Sequence, residues 1–120
     1  MIPTDSQERK DSPVFMGFCK YFPKAMIAVS QLSKIGNDKH NPGMPLHWAK
    51  GKSTDHGDCI IRHQLDAGVI DEDTGMYHDV SVAWRAMAQL ETLLDEKDGV
   101  IHGVYVPPTR PSNGADILYE

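Results

Sequence analysis

Val80, Ala83, Met87, Leu90 and Leu94 recur at alternating steps of three and four, which places five apolar side chains on one face of an α-helix. This is the clearest amphipathic pattern in the chain, and it predicts a helix from about Tyr77 to Lys97. A stripe of that length must be covered. The natural partners are an antiparallel helix of the same chain or a second subunit.

The rest of the chain offers two helices to meet it. Pro23 suits a first helical turn, and Ala25, Ala28, Val29, Leu32 and Ile35 follow at helical spacing, so a helix is expected over about 23–36 or one turn longer, with Gly36-Asn37 as a candidate stop. Ser53 or Thr54 can cap another, with Asp55 and Asp58 in its first turn, Cys59, Ile60 and Leu65 as a thin apolar stripe, and Gly68 after its end. Between them, residues 37–53 hold two prolines and two glycines. This is loop chemistry, and Leu46 and Trp48 give the loop something to bury, so it is expected to be ordered. Residues 1–13 are polar and read as a flexible leader. Residues 98–120 read as an extended arm, with a short strand over 100–106 before Pro107-Pro108. The expected fold is therefore all-α: a bundle of about three main helices over 14–97, with a long loop and a C-terminal arm. Three modest helices leave a small core for 120 residues, and that favours a homo-oligomer.

A net charge of -5 argues against general nucleic-acid binding, which needs Lys and Arg to neutralise many phosphates. It leaves room for a local basic pocket. Cys19 and Cys59 form no CxxC pair. The chain shows no secretory signal and no apolar run long enough to span a membrane, so a cytoplasmic protein is expected.

The corner between the second and third helices concentrates ionisable groups: Arg62-His63, Asp71-Glu72-Asp73, Thr74-Gly75 and His78-Asp79. Two readings compete for the acidic triplet. Its carboxylates can accept local N–H bonds and cap the next helix. Alternatively, Asp71 and Asp73, at alternate positions of an irregular backbone, can turn oxygens toward one Mg²⁺ or Mn²⁺ with His78 a turn away. His63 lies seven after His56 and four after Cys59, beside the apolar stripe, either as a half-buried core histidine or as a ligand or phosphate contact. In the long loop, Lys39-His40 and His47-Trp48, followed by Lys50 and Lys52, allow a base to stack on Trp48 while a cation meets phosphate. The same tryptophan can simply pin the loop to the core.

Other chemistries lack their signatures. The chain has no P-loop, GxGxxG, GxSxG or HExxH. Its glutamates, Glu8, Glu72, Glu91, Glu96 and Glu120, form no ExxE pair of the kind that recruits Mg²⁺ in MazG-type pyrophosphohydrolases. That weighs against autonomous two-metal hydrolysis.

The order Lys39, Trp48, Arg62-His63, Gly68, Asp71-x-Asp73-x-Gly75, His78, Ala83-Trp84, Leu90-Glu91 resembles a small helical family common in phage genomes, the N-terminal domain of dATP/dGTP diphosphohydrolases. The similarity covers about residues 22–95, and the RH … DxDxG … H block is its most specific part. Two positions depart from the pattern. Asp79-Val80 stand where a second histidine often follows shortly after, and Gln64-Leu65-Asp66-Ala67 replace a tryptophan-bearing stretch.

The resemblance implies a nucleotide-binding phage protein of the host cytoplasm that hydrolyses purine deoxynucleoside triphosphates to monophosphate and pyrophosphate. In that role Asp71, Asp73 and His78 would hold Mg²⁺ or Mn²⁺. Lys39 and Arg62 would meet phosphate, His63 would position water or phosphate, and His40 and Trp48 would complete the nucleotide site. The absent glutamate pair leaves a rival expectation: a non-catalytic oligomeric sponge that sequesters cyclic or ADP-ribose-derived immune signals. A third is an adaptor whose polar corner is only capped turns.

Overall fold

A computed structural model describes residues 4–97; the expected C-terminal arm and its strand lie outside the described residues. The elements in order are α1 (Ser6–Lys10), a π-helical turn (Phe15–Cys19), α2 (Pro23–His40), α3 (His56–Gln64), β1 (Ile70–Asp71), β2 (Met76–Tyr77) and α4 (His78–Glu96). Within the segment read as a leader, Asp5 accepts the Glu8 N–H at 3.0 Å and so starts the exposed α1. No helix among the described residues is long and apolar enough to cross a membrane.

The all-α expectation needs a correction. β1 and β2 form an antiparallel ladder pairing Ile70 with Tyr77 and Asp71 with Met76. The turn between them closes on itself: Asp71 O accepts the N–H groups of Thr74 at 3.2 Å and Gly75 at 2.7 Å, Thr74 Oγ1 accepts the Met76 N–H, and Gly75 takes a φ of 76°. That last conformation suits glycine because it has no Cβ to clash. With the turn shut, its flanks are drawn into an extended pair. Gly68 N–H donates to Asp79 Oδ1 at 2.7 Å and His78 N–H to Val69 O at 2.9 Å, which ties the start of α4 back to the end of α3. The chain reverses here, and α4 packs antiparallel along α3.

Helix α2 also departs from expectation. It runs through Gly36 and Asn37 to His40. Asn37, 5% exposed, is not a stop but an anchor. Its Nδ2 donates to Met44 O and its Oδ1 accepts from His47 N–H, both at 3.1 Å, which folds the following loop against the helix. Farther along that loop Trp48 meets Trp84 of α4 edge to face, with ring centroids 5.6 Å apart, while Trp84 Nε1 donates to Ser33 Oγ of α2 at 2.8 Å. The loop is thus ordered by two anchors, one polar and one aromatic.

The seam of α4 is two positions back from the apolar stripe, about 160° around the helix. Ser81 and Ala88 are buried, and His78, Arg85 and Thr92 are half-buried at the same alternating spacing of three and four. Met87 and Leu90 of the stripe stay 47% and 53% exposed. Opposite, α3 presents buried Cys59 with half-buried His56 and His63. Small residues let the two helices approach closely, and the polar ones on the seam must find partners there.

Asn37→Leu removes both loop hydrogen bonds and leaves the Met44 carbonyl and His47 amide to find new partners. It should lower unfolding free energy by about 1–3 kcal/mol in urea titrations, since buried polar groups lose their partners. Asn41→Ala, in the exposed part of the loop, should stay within about 0.5 kcal/mol of the parent.

Candidate functional site

The reversal at the hairpin puts His63, near the end of α3, opposite His78, the first residue of α4. Their Nδ1 atoms lie 2.8 Å apart. Two imidazole nitrogens at that distance cannot both carry a proton toward each other; they share one proton or one cation. Asp71, at the end of β1, completes the group. Its Oδ1 accepts the Asp73 N–H at 2.9 Å, while its Oδ2 stands 3.8 Å from His78 Nδ1. One ligand atom from each of His63, Asp71 and His78 falls within 4.8 Å of the others, and all three residues are half-buried. Asp66 Oδ2 lies 4.0 Å from the far nitrogen of His78, Nε2.

The surroundings hold His63 toward its neutral form. Burial lowers its proton affinity below the usual 6.5, and the positive charge of Arg62, the neighbouring His78 and Arg85 push the same way against Asp71. A neutral imidazole keeps the lone pair that a metal ligand or proton acceptor needs.

The other residues singled out in the sequence fall in separate places. Lys39, at the end of α2, donates to Asp73 Oδ2 at 2.8 Å on the exposed rim of the hairpin, and this bond holds the Asp73 carboxyl below its ordinary range. Asp73 therefore engages a lysine, outside the group formed by His63, Asp71 and His78. His40 is exposed in the last turn of α2. Arg62 is exposed on the flank of α3, with Nη2 3.6 Å from Cys59 Sγ. Trp48 is not at this corner. It lines a groove of about 240 Å³ between α2 and α4 with Val29, Ser33, Trp84 and Glu91. Lys50 Nζ sits 5.2 Å over its ring and donates to Asp95 Oδ2 at 2.9 Å, which raises the Lys50 pKa.

Sequence reasoning paired Asp71 with Asp73 because alternate positions in a turn can share a ligand. It set His63 apart as a phosphate or water contact. The signal for the actual grouping was present in the antiparallel order of the two helices: the last turn of one faces the first turn of the next. Trp84, Lys50, Arg85 and His56 carried no motif that marked them, and their placement depends on packing.

A pH titration followed through imidazole proton resonances should place His63 protonation below 6.5. Because the unfolded chain takes up that proton first, stability should be complete above 6.5 and fall as pH drops toward the folded value. His63→Gln should remove that part of the pH dependence of the melting temperature.

No curated protein and no solved structure matches the chain. A family model does, over residues 4–99, most of the chain and the whole of the corner just described. With a match of that extent, the chain belongs to the family described as dATP/dGTP diphosphohydrolase, N-terminal.

Proposed function

We propose that the corner formed by α3, the hairpin and α4 is a divalent-metal site serving hydrolysis of dATP or dGTP to the monophosphate and pyrophosphate. The observation that carries this reading is the convergence of His63, Asp71 and His78. Family membership supplies the substrate class. In such a reaction water adds to the α-phosphorus, the bond to the β-phosphate oxygen breaks, and pyrophosphate leaves.

The donor set fits a cation. Two nitrogens bound to one ion at ~2.1 Å stand about 3 Å apart when the angle at the ion is a right angle, close to the 2.8 Å between the two Nδ1 atoms. Two imidazoles and one carboxylate suit Mn²⁺ or a later transition ion better than Mg²⁺, which prefers oxygen ligands. When bound, such an ion neutralises phosphate charge and acidifies coordinated water.

The chain's own groups do the rest. His63 and His78 offer nitrogens from two helices whose spacing is held by small seam residues. Asp71 turns Oδ2 inward because its Oδ1 is occupied by the Asp73 N–H. Lys39 and Arg62, both exposed near the rim, can meet phosphate oxygens, Lys39 by exchanging Asp73 for the ligand. Trp48 and Trp84 offer aromatic surface on the adjacent groove.

We also propose that the protein works as a homo-oligomer. Cys59 and Ala88 are the buried apolar residues among those described, while Phe15, Tyr21, Phe22 and Ile27, and on α4 Met87, Leu90 and Leu93, are exposed. A core that small does not hold a domain of this size without further burial. A second copy covering the exposed stripe of α4 supplies it.

Incubation with dGTP and Mn²⁺ should yield dGMP and pyrophosphate, with Mg²⁺ giving less. His78→Ala or Asp71→Asn should cut turnover by about 100-fold or more, and Asp73→Ala by less than about 10-fold. Nucleotide recovered intact from a tight complex would instead indicate storage without hydrolysis. Light scattering should show an oligomer that Leu90→Glu shifts toward monomer.

A further inference from the structure

The α3–α4 seam carries a second polar rung. His56 and His63 are seven residues apart on α3, and His78 and Arg85 are seven apart on α4. Antiparallel packing therefore sets His56 against Arg85 as it sets His63 against His78. Arg85 Nη1 meets His56 Nδ1 at 3.3 Å. The two rungs are two helical turns apart, about 10 Å along the axis, with Cys59 and Ser81 buried between them.

Arg85 is not held as a structural arginine is held. Its guanidinium has five N–H donors in a planar fork that suits a carboxylate or phosphate with two parallel bonds. Here His56 Nδ1 is its hydrogen-bond partner among the described residues, and the nearest carboxylate oxygen, Asp55 Oδ1, stands 3.8 Å away, beyond bonding length and largely exposed. The guanidinium is itself half-buried. With one ring nitrogen as its partner, this half-exposed fork keeps donors open to an incoming anion. Asp55 caps α3 with its backbone alone, its side chain making no cap bond, so the positive end of α3 adds to the same field.

We infer that the His56–Arg85 rung is an anion subsite that takes a phosphate group of the nucleotide, two helical turns from the rung of His63 and His78. Arg85 is the bidentate anchor of that phosphate group and His56 a second donor. Asp55 is the negative gate, displaced when the anion binds. The assignment of the ligand as a nucleotide rests on the hydrolase reading above, but the anion site itself does not.

Inorganic pyrophosphate in the presence of a metal chelator isolates the subsite. Calorimetry should show binding that weakens by about 10-fold or more in Arg85→Gln and less in Arg85→Lys. Asp55→Asn should tighten it a few-fold, an opposite sign that damage to the fold would not produce. Affinity should fall steeply with salt. Circular dichroism confirms that each variant is folded. Pyrophosphate binding that is absent in the parent, or equal in parent and folded Arg85→Gln, overturns the subsite. Loss of Mn²⁺ binding or of dGTP hydrolysis in the parent, with pyrophosphate binding intact, overturns the hydrolase reading and leaves the subsite standing.

Discussion

The seam between α3 and α4 is the constraint on which this structure depends, and it is polar. Two helices of one small domain usually meet through leucine and isoleucine. Here the buried residues between them are Cys59 and Ser81, with His63 against His78 and His56 against Arg85. Removing polar groups from water is unfavourable unless each finds a partner, so the seam has a definite register: a one-turn slip would separate both pairs at once. No buried side-chain nitrogen or oxygen among the described residues lacks a partner. The register that satisfies them also creates the site.

The hairpin sets that register. Its ladder is two residues long on each side and would not persist alone. It is held by the closed Asp71–Gly75 turn and by two bonds, from Gly68 N–H to Asp79 and from His78 N–H to Val69. These bonds place the first turn of α4 beside the last turn of α3, and Asp71 enters the group with the two histidines. On the far side, α2 supports α4 through Ser33 and Trp84, and the loop is clamped by Asn37 and Trp48. The polar site and the aromatic groove thus flank the same helix.

Charge is distributed unevenly over this frame. The chain is acidic overall, yet at His63 burial, with Arg62 and to a lesser degree Arg85, disfavours protonation. The carboxylates of the corner are engaged in different ways, Asp73 with Lys39 and Asp71 with the Asp73 N–H, while Asp55 and Asp66 stand 3.8 Å from Arg85 and 4.0 Å from His78. The apolar stripe of α4 and the aromatic residues before α2 remain outside this arrangement, on surfaces that face solvent in the single chain.

The three long helices, the Thr74-Gly75 turn and the family are legible in the sequence. Alternating apolar spacing, Pro23, and the glycines at 68 and 75 act through local backbone and side-chain preferences, and these are written in short windows. The sequence also located the corner, because ionisable residues crowd there more than a connection needs. Of the two partners expected for the apolar stripe of α4, helix α3 is not the one that covers Met87 and Leu90: close packing turned Ser81 and Ala88 inward. Asn37 reads as a helix stop, since asparagine favours helix ends, whereas a buried loop amide and carbonyl made it an anchor. Only the tertiary structure decided that His63 joins Asp71 and His78, that Asp73 is held by Lys39, and that Arg85 meets His56. The hydrogen-bonded pairs among these are 15 to 34 positions apart, and such contacts are fixed by how helices pack, not by neighbours in the chain.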